Sequence, residues 1–157
     1  MTEPRISADR LTSEDERALA IDLFNHVWTL LDLDLRSAEQ DDAMLHAAHA
    51  SRWHWGQVGG PQEAAIGEWQ CSRVYAVLHR AEPALHHARR CLAMSLEHEM
   101  DEWVTASAYE GLARAFAVGG DLEAAREARD EAVSRTVALK DPEDRAIIDA
   151  DIATLPL

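Results

Sequence analysis

The sequence predicts an all-α fold of about seven antiparallel helices, and three observations carry that prediction. Apolar residues recur at helical spacing through most of the chain. Capping residues and Gly or Pro breakers punctuate it at short intervals. No segment alternates convincingly enough to be a strand.

Composition narrows the class. A chain of 157 residues with 47% hydrophobic content sustains one core, and its composition is not that of a disordered polymer. We expect a polar lead-in over 1–12 and a single helical domain over 13–157. There is no run of 18 apolar residues and no apolar leader, so the expectation is a cytoplasmic protein. Cys71 and Cys91 fall in apolar helical runs and suit buried free thiols. A net charge of −14 argues against nucleic acid and anionic membrane as partners. The distribution of charge is uneven: residues 1–45 carry −7, residues 46–98 carry +1 and residues 99–157 carry −8. Seven of the eight histidines lie in that central segment, which marks it as the place to look for a site.

The elements follow in order. Ser13 and Glu16 form a capping box, and Leu19, Leu23, Val27, Leu30 and Leu31 give the first helix an apolar face ending near Leu35. Ser37 and Gln40 repeat the box and open a second helix that stops at Gly59-Gly60-Pro61. Pro61 suits the first turn of a third helix reaching about Leu78. A turn at Arg80 leads to a fourth helix ending near Glu99. Asp101 caps a fifth to Val118, and Gly119-Gly120 followed by Asp121 separates it from a sixth to about Leu139. Asp141-Pro142 starts a last helix ending near Thr154. The pairs are therefore about 13–58, 61–99 and 101–139, with 142–154 as a cap.

Two pairs superimpose at an offset of 41 residues. Cys71-Ser72-x-x-Tyr75 with Ala84, Ala88 and Cys91 matches Leu112-Ala113-x-x-Phe116 with Ala125, Arg129 and Ala132. Small residues let paired helices approach, and the aromatic fills the space between pairs. The pattern resembles the tetratricopeptide repeat. It departs from that repeat in its longer period and in carrying His79 where the second copy has the turn glycine Gly120. His46–Gly56, Gly67–Leu78 and Glu82–Leu92 also resemble segments of a group of short, functionally uncharacterised bacterial tetratricopeptide-like proteins. The resemblance implies a short α-solenoid, a right-handed superhelix with the first helix of each pair on the concave side. It implies no activity.

The stretch from His46 to Trp55 holds three histidines, two tryptophans and an arginine in ten residues. His46, His49 and Trp53 share one helical stripe, with His54 at its margin, and Arg52 and Trp55 share the next. Helix 3 presents Glu68, Ser72 and Tyr75 on one face, with Trp69 and Arg73 beside them. Three uses compete for these residues. Arg52 and Arg73 would hold a carboxylate or phosphate between walls of Trp53, Trp55, Trp69 and Tyr75, in a groove between helices 2 and 3. His46 and His49 with Glu68 would instead hold a transition metal (zinc, copper, nickel or iron), making the chain a metal-binding protein or metalloenzyme. Or the side chains serve as hydrogen bonds and ion pairs within the stack. The His86-His87-Ala88-Arg89-Arg90 run spreads around more than half a helix and suits a solvated face. No catalytic triad order, phosphate loop or nucleophile elbow occurs. The sequence therefore favours a binding protein over an enzyme, with no cofactor, engaging a peptide, a partner protein or a small anionic or aromatic ligand. A second copy of the chain is a further candidate partner.

Overall fold

A computed structural model describes residues 11–157, so all but the last two residues of the expected lead-in lie outside the described residues. Among the described residues there are seven helices and no strand: α1 (Ser13–Leu31), α2 (Ala38–Val58), α3 (Pro61–Val77), α4 (Ala81–Glu97), α5 (Glu102–Val118), α6 (Leu122–Ala138) and α7 (Pro142–Ala153). Each packs on its neighbour in sequence, and α3 also reaches α5, as α5 does α7.

Local chemistry sets the ends. The capping box of α1 is Thr12 with Asp15, one residue earlier than Ser13 with Glu16. The Asp15 carboxylate accepts from the Thr12 N–H at 2.9 Å, and the Asp15 N–H donates to the Thr12 hydroxyl at 3.1 Å. Glu16 is left free to reach His54 on α2, at 2.5 Å. The helix also stops at Leu31, short of Leu35. Arg36 folds back and donates to the carbonyl oxygens of Leu30 at 3.2 Å and Leu33 at 3.3 Å, satisfying groups that a longer helix would have paired internally. Leu35 is left 90% exposed because no apolar surface waits for it there. The Ser37–Gln40 box of α2 forms as the sequence predicts.

The 41-residue offset reappears in the element bounds. Helices α3 and α5 are each 17 residues long, as are α4 and α6, and both pairs of bounds differ by 41. Ser72 and Ala113, Ala84 and Ala125, and Cys91 and Ala132 are buried in both copies. The core is a string of small clusters following the chain. Val27, Met44, Ala48, Cys71 and Val74 join α1 to α3; Ala65, Cys91, Val104 and Ala108 join α3 to α5; and Ala106, Leu139 and Ile148 seat α7. Alanine and cysteine dominate because helices packed this closely leave no room for longer side chains. Burial pushes both thiols up to about 12, so neither is a thiolate at neutral pH.

The two copies also end alike. The Arg80 N–H donates to the Tyr75 carbonyl at 2.9 Å, as the Asp121 N–H does to that of Phe116 at 3.0 Å. The intervening residue is left-handed in both, at φ 57° for His79 and φ 83° for Gly120. That conformation costs an L-residue about 1–2 kcal/mol, and only glycine escapes it. Gly120→Ala is therefore expected to lower stability by about 1 kcal/mol, whereas His79→Gly should lose nothing. Urea unfolding of the two variants checks this asymmetry.

Candidate functional site

Helix α2 reaches both of its neighbours with its C-terminal half. On the α1 side Ser51 donates to the Ala20 carbonyl at 2.8 Å, His54 meets Glu16, and the Arg17 guanidinium lies 5.4 Å from the centre of the Trp55 ring. Four residues at helical spacing, His49, Arg52, Trp53 and Gly56, line an open groove instead. Gly67 makes the close approach of α3 feasible. A Cβ there would stand 2.7 Å from Arg52 Cδ, so the guanidinium stem lies directly across the α3 backbone.

Glu68 forms the groove floor and is only 3% exposed. Its Oε1 accepts from Arg52 Nε at 3.0 Å and lies 3.1 Å from Arg90 Nε; its Oε2 lies 2.6 Å from His87 Nδ1. Burial alone would penalise the carboxylate charge. The hydrogen bond to His87, the charges of Arg90 and His87, and the hydrogen bond from Arg52 outweigh that penalty and lower it to about 2. Glu68 is thus an anion throughout the physiological range.

An aromatic stack backs this ion cluster. Tyr75 lies nearly parallel to His87, with 5.6 Å between ring centres, and His49 meets both rings edge-on. His49 Nε2 is 2.9 Å from the Tyr75 hydroxyl. Burial and then the nearby charge of His87 hold the His49 imidazole below its ordinary value, which favours its neutral form. The groove has a volume of about 430 Å³ and is completed by His86 and Gln57. Trp53 stands at its edge, 55% exposed. Two guanidiniums and a histidine surround one carboxylate. Among the described residues the Nη groups of Arg52 and Arg90 make no hydrogen bond, so donors remain for an incoming anion.

The residues singled out from the sequence are dispersed in the structure. His49, Arg52, Trp53 and Glu68 line the groove, and Tyr75 packs behind them on His49 and His87. His54 and Trp55 face α1. Trp69 packs on Trp28, 5.7 Å between ring centres, and Ser72 donates to the Ala84 carbonyl at 2.8 Å inside the α3–α4 contact. Arg73 points toward α5 and α7, where its Nη1 lies 3.3 Å from Glu110 Oε1 and its Nη2 lies 3.1 Å from Asp151. His46 remains exposed. The groove lies between α2 and α4 with α3 beneath, rather than between α2 and α3.

For the metal reading, no group of three or more His, Cys, Asp or Glu is placed to hold an ion among the described residues. His49 is turned to Tyr75, and both Glu68 oxygens are already engaged, one by Arg52 and the other by His87. His87 and Arg90 are two of the three partners of Glu68, yet their run suits a solvated face by its spread around α4. The usable signal is that His87 borders the buried stripe Ala84, Ala88 and Cys91, which turns it inward.

A second buried carboxylate, Glu110, sits on α5 with no exposure. Arg114 reaches its Oε1 through Nε at 2.8 Å and Nη2 at 2.5 Å, and Arg73 shares the same oxygen. Arg114 also donates to the Asp151 carbonyl at 2.9 Å and to the Thr154 hydroxyl at 2.8 Å, so the cluster ties the end of α7 to α5.

Comparison with protein-family models, with curated proteins and with solved structures gives no match in any of the three.

Proposed function

We propose that the chain is a tetratricopeptide-like binding protein whose α2–α4 groove takes the anionic group of a peptide or small molecule. In this reading α1–α2, α3–α4 and α5–α6 are antiparallel pairs of a short right-handed α-solenoid, with α7 as its cap. The recurring 41-residue offset in bounds, burial and helix-end geometry supports that arrangement.

The observation that carries the ligand class is the Glu68 cluster. One buried carboxylate holds Arg52, Arg90 and His87 at the floor of a groove open to solvent, leaving local positive charge in a chain of net −14. Preset guanidiniums with free Nη groups suit a carboxylate or phosphate oxygen pair. Trp53 offers a flat apolar surface beside them, where a ring or an aliphatic side chain would lie.

Calorimetric titration tests this with phenylacetate, phenyl phosphate and a short peptide carrying either a free or an amidated C-terminus. At least one anion should bind saturably, its uncharged counterpart should not, and Arg90→Ala should weaken binding roughly tenfold or more. Absence of binding for every anion at millimolar concentration, or equal affinity in Arg90→Ala, would sink the reading.

A further inference from the structure

A separate cavity of about 280 Å³ lies between α3, α5 and α7, away from the Glu68 groove. Its lining is mostly apolar, with Trp69, Trp103, Ile66 and Ile148 among its walls, and Asp144 and Asp151 are its charged members. Among the described residues, the Trp69 indole N–H and the Asp144 carboxylate in this lining have no protein partner. The indole N–H of Trp69 is buried, packed over Gly111, and has no acceptor. A buried donor without an acceptor is uncommon in a folded protein.

Asp144 joins no ion pair among the described residues. Desolvation and the negative charges of Asp141, Asp101 and Glu143 hold its carboxyl above the usual carboxylate range. Asp151, by contrast, is already held by Arg73. Lys140 is the one basic residue lining the adjoining acidic depression, which it shares with Asp101, Asp141 and Asp144.

The electrostatics exclude an anion and favour a cation. The walls exclude a strongly hydrated one, since a bare metal ion would forfeit its water to indole and isoleucine surfaces. An ammonium joined to a flat apolar body meets both demands, because the charge pairs with Asp144 while the body displaces water from the tryptophans. The volume is slightly below the usual range of about 300–1,000 Å³ for ligand pockets, so the ligand must be small. We propose that this cavity binds an arylalkylamine, with the ammonium on Asp144 and the ring between Trp69 and Trp103. A ring hydroxyl or ether oxygen would supply the acceptor that the Trp69 N–H lacks. The site is independent of the Glu68 groove, and its ligand has the opposite charge.

Tyramine is the first probe, titrated into the full chain and followed by tryptophan fluorescence and calorimetry. Phenethylamine removes its hydroxyl and 4-ethylphenol removes its amine. Tyramine should bind saturably; 4-ethylphenol should bind the wild type roughly tenfold or more weakly, and Asp144→Asn should weaken tyramine by a similar factor. Phenethylamine should be weaker than tyramine for the wild type, and that preference should vanish in Trp69→Phe. Asp144 lies at the rim, so Asp144→Asn is expected to keep its circular dichroism and thermal midpoint, and it carries the test should Trp69→Phe fold poorly. No saturable binding of tyramine at millimolar concentration would overturn the proposal. So would equal affinity in Asp144→Asn, or a loss that follows Arg90→Ala instead.

Discussion

Glu68→Gln is expected to lower stability by about 3 kcal/mol at neutral pH, because it keeps the shape of the side chain and removes its charge. Folding brings this carboxyl from the ordinary 4.5 to about 2. A carboxyl lowered by folding contributes its full stabilisation above the unfolded value and loses it as the pH falls through the folded one. The contribution is therefore complete above about pH 5 and fades between pH 4.5 and 2. Urea unfolding of wild type and Glu68→Gln across that range should show two curves converging as the pH falls. His49 adds to the acid sensitivity of both proteins, since an imidazole lowered by burial must be charged as the pH drops below its unfolded value. A constant gap between the curves down to pH 2 would mean that Glu68 stabilises through packing and not through charge.

Glu110→Ala is expected to be the most damaging single change, at about 3–5 kcal/mol. The carboxylate is fully buried, and both Arg73 and Arg114 are largely buried around it. Removing it leaves two largely buried guanidiniums with Asp151, among the described residues, as the one remaining carboxylate between them. The same two side chains grip Asp151 and Thr154, so the damage should spread to α7. Hydrogen exchange should report early loss of protection over Pro142–Ala153 while α1 and α2 keep theirs. A loss near 1 kcal/mol, with α7 still protected, would show that the Asp151 and Thr154 oxygens and water suffice for both arginines.

Particular residues show how far the sequence could be followed. Ser37 with Gln40 and the Gly59-Gly60-Pro61 break are local signals, and both lie where the structure places the ends of α2. Thr12 with Asp15 and Ser13 with Glu16 are equally acceptable boxes on local grounds. His54, 38 residues away, decides between them by engaging Glu16. The end of α1 was equally hidden, since it depends on Arg36 turning back across the chain. At the groove, the spacing of His49, Arg52 and Trp53 is visible as a stripe because one helix carries it. The partnership of Glu68 with His87 and Arg90 is not, because it depends on how α4 is rotated against α3. Arg73 illustrates the same limit: its partners lie 37 and 78 residues along the chain.

The matched pairs of helices have a consequence for how the groove could be edited. Shifted by 41 residues, Glu68 becomes Tyr109, His87 becomes Ala128 and Arg90 becomes Glu131, while Tyr75 becomes Phe116 and Arg73 becomes Arg114. In the second copy Arg135 lies 4.9 Å from the centre of the Tyr109 ring and pairs with Glu131 at 2.8 Å. The polarity written into one copy is thus missing from its sibling, although the mould is shared. The molecule carries its own blank, a scaffold of the same dimensions on which the cationic inscription was never made. Chemistry and architecture are separable in this chain, and the second copy is where a transplanted groove would first be tried.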